Sequence, residues 1–194
     1  MPLDDTHTKT VGFVIGDDEV VGTFFVVQRS DKCFMLTAAH NLVPHNAVKT
    51  RIRTHDGSTL YEWDPGPWFF PDLDGGLDLA INCFDPASSE DLLFTAIPID
   101  EQGMDVMGAH PKLGTTVYFA GLLAPVERMG EAGIPMVRSG SLGALYHPGV
   151  AYDESWGPMT AHLIDTRSWG GFSGSPCWWQ MTIRAQPSDP KRHP

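Results

Sequence analysis

Three side chains that together could activate a hydroxyl nucleophile lie at well-separated points of the 194-residue sequence. Ser173 stands in the glycine-rich segment G-F-S-G-S-P, His40 ends the segment T-A-A-H, and Asp78 lies in the apolar segment L-D-L-A. A serine hydroxyl needs a base to take its proton, and imidazole is the side chain that ordinarily titrates near neutral pH. A carboxylate can then hold the imidazole in the required tautomer. The trio predicts a nucleophilic hydrolase, although each residue alone is typical of an ordinary turn or strand end.

The order of these residues along the chain separates classes of hydrolase. The order here is His, Asp, Ser, whereas α/β-hydrolases run Ser, acid, His and subtilisin-type enzymes run Asp, His, Ser. The segment also departs from the nucleophile elbow G-x-S-x-G, because Ser175 stands where that motif requires glycine. Asp72 and Asp74 are rival acids, but they lie among proline and glycine, where aspartate commonly makes turn contacts. Asp78 is therefore the preferred acid.

The segments T-A-A-H, D-L-A and G-x-S-G-x-P, in this order, resemble the trypsin/chymotrypsin-like serine peptidases, in particular their bacterial, disulfide-free type. The resemblance runs from about Thr10 to Pro176. It implies an all-β fold of two antiparallel β-barrels of the six-stranded type, with the active site in the cleft between them. His40 and Asp78 would come from the first barrel and Ser173 from the second. The implied activity is a peptidase that forms an acyl-enzyme at Ser173 and needs no cofactor.

The same resemblance implies roles for residues near Ser173. The backbone N–H groups of Gly171 and Ser173 would form the oxyanion hole. Arg167 would lie at the base of the primary specificity pocket and favour an acidic side chain before the cleaved bond. Phe172 occupies the position at which trypsin has the aspartate that receives a newly cut N-terminus, so activation by N-terminal insertion is not expected. The remaining histidines show no metal-ligand spacing with cysteines or acids, so no metal site is predicted.

Short β-prone runs separated by turns, without long helical periodicity, predict an all-β chain. Strands are expected at residues 11–15, 20–27, 33–36, 48–53, 58–63, 77–84, 114–121, 135–142, 159–165 and 176–183, with a hairpin turn at 16–18. We expect a mobile N-terminus over residues 1–9, a first barrel over 10–84 and a connection over 85–104. An incomplete second barrel over 105–184 and a disordered, proline-rich tail over 185–194 would follow. The second barrel is expected to be incomplete because few residues follow Ser173, whereas the family has a further strand that lines the specificity pocket. A non-catalytic, peptide-binding pseudopeptidase is therefore the main alternative, and an esterase-like hydrolase is another.

The composition limits the partners. The formal net charge is −11, which argues against nucleic acid or an anionic membrane and leaves a peptide or protein substrate. No apolar run approaches the ~20 residues of a membrane helix, and the acidic, polar start does not resemble a signal peptide. The three cysteines do not suggest a disulfide framework, and Cys33 and Cys177 lie in apolar runs and are expected to be thiols in the core. We expect a cytoplasmic location, or a secreted protein whose leader has been removed.

Overall fold

The computed structural model describes residues 8–45, 48–53, 60–71, 77–84, 96–99, 111–122, 135–150, 158–167 and 170–179. Within these residues the strands form two sheets. The strands are β1 (Val11–Gly16), β2 (Glu19–Arg29), β3 (Lys32–Thr37), β4 (Val48–Arg53), β5 (Leu60–Trp63), β6 (Ala80–Phe84), β7 (Ile97–Pro98), β8 (Thr116–Leu122), β9 (Pro135–Val150), β10 (Met159–Asp165) and β11 (Cys177–Trp179). A 3-10 turn at Ala39–Asn41 follows β3. The all-β prediction is confirmed.

The first sheet has the strand order β5-β4-β1-β2-β3-β6, and each neighbouring pair is antiparallel. The predicted hairpin turn between β1 and β2 is confirmed, since Asp17 and Asp18 have φ values of 48° and 68°. Left-handed conformations at both central residues are those of a type I′ turn, whose twist matches that of the flanking strands. Strand β7 lies in the segment predicted as a connection, and it pairs parallel with β2.

Apolar side chains from this sheet form the larger core cluster. Phe24, Val26 and Met35 are fully buried in it together with Val14 and Ala80. They come from β1, β2, β3 and β6, the neighbouring strands at the middle and one edge of the sheet. The core therefore supports the two strand ends, at β3 and β6, beyond which His40 and Asp78 lie.

The second sheet has the order β10-β9-β8-β11. Strand β9 extends to Val150, although the sequence predicted a strand only as far as Leu142. Its first half pairs with β8 and its second half with β10. The second half contains Gly143, Pro148 and Gly149. Because glycine and proline are poor strand formers, the sequence did not indicate that β9 continues through this half.

Other predictions concern the cysteines, the termini and membrane segments. Cys33 is buried in the core as expected, but Cys177 is exposed on the edge strand β11, so its assignment to the core was wrong. All three cysteines are free thiols. The predicted tail, the rival acids Asp72 and Asp74, and residues 1–7 of the predicted mobile N-terminus lie outside the described residues. Within the described residues there is no helix with the length and apolar character needed to cross a bilayer.

Candidate active site

His40 and Asp78 are brought together by the register of two strands. Thr37 at the end of β3 pairs with Ala80 at the start of β6, so the residues just beyond these ends are neighbours. The 3-10 turn after β3 then presents His40 to Asp78. The Asp78 Oδ2 atom lies 2.6 Å from His40 Nδ1, and Asp78 Oδ1 accepts a hydrogen bond of 2.9 Å from the His40 backbone N–H. Both oxygens of one carboxylate therefore orient one histidine.

Asp78 lies two residues before β6, although the sequence predicted that the strand itself would begin at Leu77. The backbone N–H of Leu79 donates to the carbonyl of Leu77 over 2.8 Å, which makes a tight turn around Asp78. This turn is the local reason that the strand begins later than predicted. It leaves the Asp78 carboxylate free to bond outside the sheet.

The electrostatics of Asp78 combine two opposing effects. Burial acts to raise the pKa of this carboxyl, but hydrogen bonds from the His40 ring, the His40 backbone and the Ala39 backbone outweigh it. The pKa of Asp78 therefore lies below its ordinary value. At neutral pH the group is an anion that accepts hydrogen bonds, which is the state needed to hold an imidazole.

Ser173 lies in a turn between the two sheets, and the turn is held by its carbonyl groups. The Ser173 carbonyl accepts hydrogen bonds from the backbone N–H of Thr23 (2.8 Å) and from Nδ2 of Asn41 (3.0 Å). The Gly171 carbonyl accepts a hydrogen bond of 2.7 Å from Thr23 Oγ1. The Phe172 carbonyl accepts one of 3.0 Å from the backbone N–H of Ser175. Successive peptide groups on both sides of the Ser173 N–H are thus fixed.

Two of the glycines in this turn are required by geometry. Gly171 is buried and has a φ of +100°, which L side chains rarely adopt. Gly174 has a φ of +85°, and a Cβ atom there would lie 2.1 Å from the carbonyl oxygen of Thr23. The turn can therefore approach β2 only with glycine at position 174.

Phe172 joins the same turn to the second sheet. Its side chain is buried, its ring meets that of Phe119 edge to face at 5.6 Å, and the Arg138 guanidinium lies 5.9 Å from its centroid. Phe119 belongs to β8 and Arg138 to β9. The Ser173 turn is consequently held by carbonyl hydrogen bonds on the first sheet and by an aromatic side chain on the second.

These placements allow a specific chemistry. An ionised Asp78 that accepts the Nδ1 proton of His40 leaves the Nε2 lone pair as a base. Ser173 is partly accessible and lies in a turn attached to the residue that follows His40. Arg167 is exposed just beyond β10, and its role in substrate selection stays a prediction. The described residues contain no group of three or more His, Cys, Asp or Glu side chains suited to a metal ion.

Sequence analysis missed the buried polar residues that hold this turn, namely Thr23, Thr37 and Asn41. The available signal was Asn41, a polar residue directly after His40 where the disulfide-bonded members of the resembled family have cysteine. Its role could not be deduced without the turn that it contacts, because Ser173 is more than a hundred residues away in the sequence.

Comparisons with known proteins define the fold. No protein-family model and no curated protein matches the chain. The apo protease domain of MamO from Magnetospirillum magneticum aligns with 90% of this chain and 80% of its own, at 19% identity and a TM-score of 0.60. Human heparin binding protein aligns with 92% of this chain and 78% of its own, at 10% identity and a TM-score of 0.55. The chain has the trypsin/chymotrypsin-like fold.

Proposed function

We propose that the chain is a serine endopeptidase that hydrolyses peptide bonds through an acyl-enzyme, with Ser173 as nucleophile, His40 as base and Asp78 as the orienting acid. The observation that carries the proposal is the two-point contact of Asp78 with His40, through the ring Nδ1 and the backbone N–H. Bonding to both fixes the plane and the tautomer of the imidazole, which a general base requires.

In the proposed reaction each of these residues has one role. His40 Nε2 takes the proton of the Ser173 hydroxyl as the oxygen forms a bond to the substrate carbonyl carbon. The negative charge that develops on the carbonyl oxygen is stabilised by the N–H groups of Gly171 and Ser173. When the C–N bond breaks, His40 returns the proton to the leaving amine. Water then attacks the acyl-enzyme with His40 again as base, which releases the acid and restores Ser173.

The fixed turn supports the oxyanion site in this proposal. In a trans peptide the N–H points opposite to the C=O. The C=O of Phe172 belongs to the same peptide group as the Ser173 N–H, and it is bound by Ser175. The Ser173 N–H is thus oriented before a substrate arrives, which is the condition for a large electrostatic contribution, since one such donor is worth ~3 kcal/mol of the barrier.

A peptide or protein substrate is supported by the structural neighbours, because one of them is a protease domain. The negative net charge leaves the surface poorly suited to polyanions. We also propose that Arg167 favours an acidic side chain before the cleaved bond, since a cation accessible from solvent can pair with a carboxylate there.

Covalent labelling with a fluorophosphonate tests the proposal, because the reagent requires an activated serine and an oxyanion site. Intact mass should show one adduct per chain on the wild type and none on Ser173→Ala or His40→Ala. Ser175→Ala is the matched control, since it removes a neighbouring serine hydroxyl and should still be labelled. A folded wild type that takes no adduct would overturn the hydrolase proposal in favour of the peptide-binding alternative. If the wild type is labelled, ester and peptide substrates at equal concentration would separate an esterase from a peptidase.

A further inference from the structure

We propose that Thr23, Thr37 and Asn41 form a buried positioning cluster that sets the Ser173 turn against His40, so that the rate of acylation depends on it. The dependence of the acylation rate on this cluster rests on the proposed function. The cluster itself touches no substrate, and its members act through the backbone of the turn.

The three side chains are almost completely buried, with exposed fractions of 0%, 2% and 1% for Thr23, Thr37 and Asn41. They form a continuous chain of hydrogen bonds. Asn41 Nδ2 donates to Thr37 Oγ1 over 3.0 Å, and Thr37 Oγ1 donates to the carbonyl of Thr23 over 2.7 Å. Because a buried polar group without a partner destabilises a protein, a closed arrangement of this kind has one preferred geometry.

The cluster ends on the turn that carries the nucleophile. Thr23 contacts it twice, through its N–H to the carbonyl of Ser173 and through Oγ1 to the carbonyl of Gly171. Two contacts to carbonyls two residues apart fix both the distance and the rotation of the turn relative to β2. The second of these carbonyls belongs to Gly171, whose own N–H is one proposed donor to the oxyanion.

Asn41 links the nucleophile to the base. It directly follows His40 in the 3-10 turn, and its amide donates to the carbonyl of Ser173 over 3.0 Å. If the Asn41 amide is displaced, Ser173 therefore moves relative to Asn41 and to the neighbouring His40, its proposed base. Since a shift of about 1 Å between reacting groups can reduce a rate about 100-fold, this contact is expected to affect catalysis as well as stability.

Gly22 offers a way to disturb the cluster without removing any of its hydrogen-bonding groups. A Cβ atom at Gly22 would lie 2.1 Å from Asn41 Nδ2 and 2.4 Å from Asn41 Cγ. No side chain at position 22 fits beside this amide. Gly22→Ala must displace Asn41, whereas the same change in an Asn41→Ala background has no amide to displace.

The first experiment measures the second-order rate of fluorophosphonate labelling and the separate kcat and KM values for Thr23 variants. Thr23→Val, which keeps the shape but removes the hydroxyl, should lower the labelling rate and kcat about 10- to 100-fold with little change in KM. Thr23→Ser, which keeps the hydroxyl, should restore most of the rate. Thr50→Val is the matched control, since Thr50 is a fully buried threonine on β4 of the same sheet. It should change the melting temperature without changing kcat.

The second experiment is a double-mutant cycle with Gly22→Ala and Asn41→Ala. Each single variant should be labelled about 10-fold more slowly or worse, and the double variant should be no slower than Asn41→Ala alone. Additive losses would show that Gly22 acts independently of Asn41. The proposal would be overturned if Thr23→Val were labelled as fast as the wild type. It would also be overturned if Thr50→Val slowed labelling as much as Thr23→Val does.

Hydrogen exchange separates failure of this inference from failure of the proposed function, because it requires no activity. Amide exchange over residues 170–176 should be about two- to tenfold faster in Thr23→Val and Asn41→Ala, and unchanged in Thr50→Val. An unlabelled wild type would refute the peptidase, and the exchange rates would still decide whether the cluster fixes the turn. Unchanged exchange in all three variants would refute the cluster even if the wild type is labelled.

Discussion

The Asp78 carboxylate determines the orientation of His40, and it does so as an anion. Its pKa lies below the ordinary value because hydrogen bonds from His40 and Ala39 outweigh the effect of burial. A group whose pKa is lower in the folded than in the unfolded state stabilises the fold above its unfolded pKa. That stability is lost as pH falls through the folded pKa. The site is therefore expected to weaken in acid.

Asp78→Asn tests this pH dependence. The variant should be less stable than the wild type at about pH 7, and the difference should narrow as pH falls below about 4, the ordinary pKa of an aspartate, toward the lower pKa of the folded state. Urea unfolding of both proteins across this range measures it. Glu62→Gln is a useful control. Hydrogen bonds from Arg51 and Lys49 lower the pKa of Glu62 as well, but Glu62 lies on β5, outside the site. A difference between Asp78→Asn and wild type that is independent of pH would contradict the expected linkage.

Ser175 presents the opposite case, because its buried hydroxyl has no hydrogen-bond partner within the part of the chain that the structure describes. Because an unpaired buried polar group costs about 1–3 kcal/mol, Ser175→Ala should raise the free energy of unfolding by roughly 1 kcal/mol. Urea unfolding measures the change. A loss of stability would show that the hydroxyl has a partner in solution, such as an ordered water.

At the scale of single residues, the sequence predicted that His40 and Asp78 act together, and the structure places them in hydrogen-bond contact, but the contacts of Asn41 were not predicted. His40 and Asp78 were recognisable because each ends or begins an apolar run, and the strand register then brought them together. Asn41 could not be assigned, since an asparagine after a turn has many ordinary uses. Only the structure shows that it contacts Ser173, a residue on a distant segment.

At the scale of elements, the turn at residues 171–175 is the feature on which the site depends. Its backbone takes left-handed conformations at Gly171 and Gly174, and it approaches β2 closely. The glycine pattern in the sequence indicated a turn, but it did not indicate which glycine was essential. The strand predictions show the same limit, since β1, β4 and β10 were predicted almost to the residue, whereas the second half of β9 was hidden by glycine and proline.

A pair of alanine substitutions tests the turn. Gly174→Ala places a Cβ atom 2.1 Å from the Thr23 carbonyl at a φ of +85°, so it should reduce the free energy of unfolding by about 2 kcal/mol or more and abolish labelling. Gly170→Ala is the matched control, because a Cβ atom there would meet nothing within 4 Å. Thermal unfolding and fluorophosphonate labelling measure both effects. Equal behaviour of the two variants would show that the turn tolerates a side chain on the β2 side.

At the scale of the whole molecule, the candidate site exists only where the two sheets meet. The carbonyls of Gly171 and Ser173 are bound from β2 and from the turn after β3. The intervening side chain, Phe172, packs on Phe119 and Arg138 of the second sheet. The three residues of the turn therefore alternate between the two sheets. Separation of the sheets must therefore disrupt the Ser173 turn, and with it the proposed nucleophile and oxyanion donors.

This arrangement predicts that loss of labelling and loss of global structure occur together on addition of urea. For the wild type, the labelling rate and the tryptophan fluorescence should change with the same midpoint, because no intact site can persist on one separated sheet. Phe172→Ala should lower that midpoint by an amount that corresponds to about 3 kcal/mol, the usual effect of removing a buried phenylalanine ring. It should also be labelled more slowly without urea, since the turn then keeps only its attachment to the first sheet.

Phe69→Ala provides the control for this prediction, because that ring is 65% exposed and its removal should leave the midpoint nearly unchanged. If labelling of the wild type were lost well before the fluorescence change, the turn would open locally while the sheets stay packed. The carbonyl hydrogen bonds would then be the weaker attachment and Phe172 the stronger. If both signals change together and Phe172→Ala moves both, the packing of the two sheets and the assembly of the site are a single cooperative event.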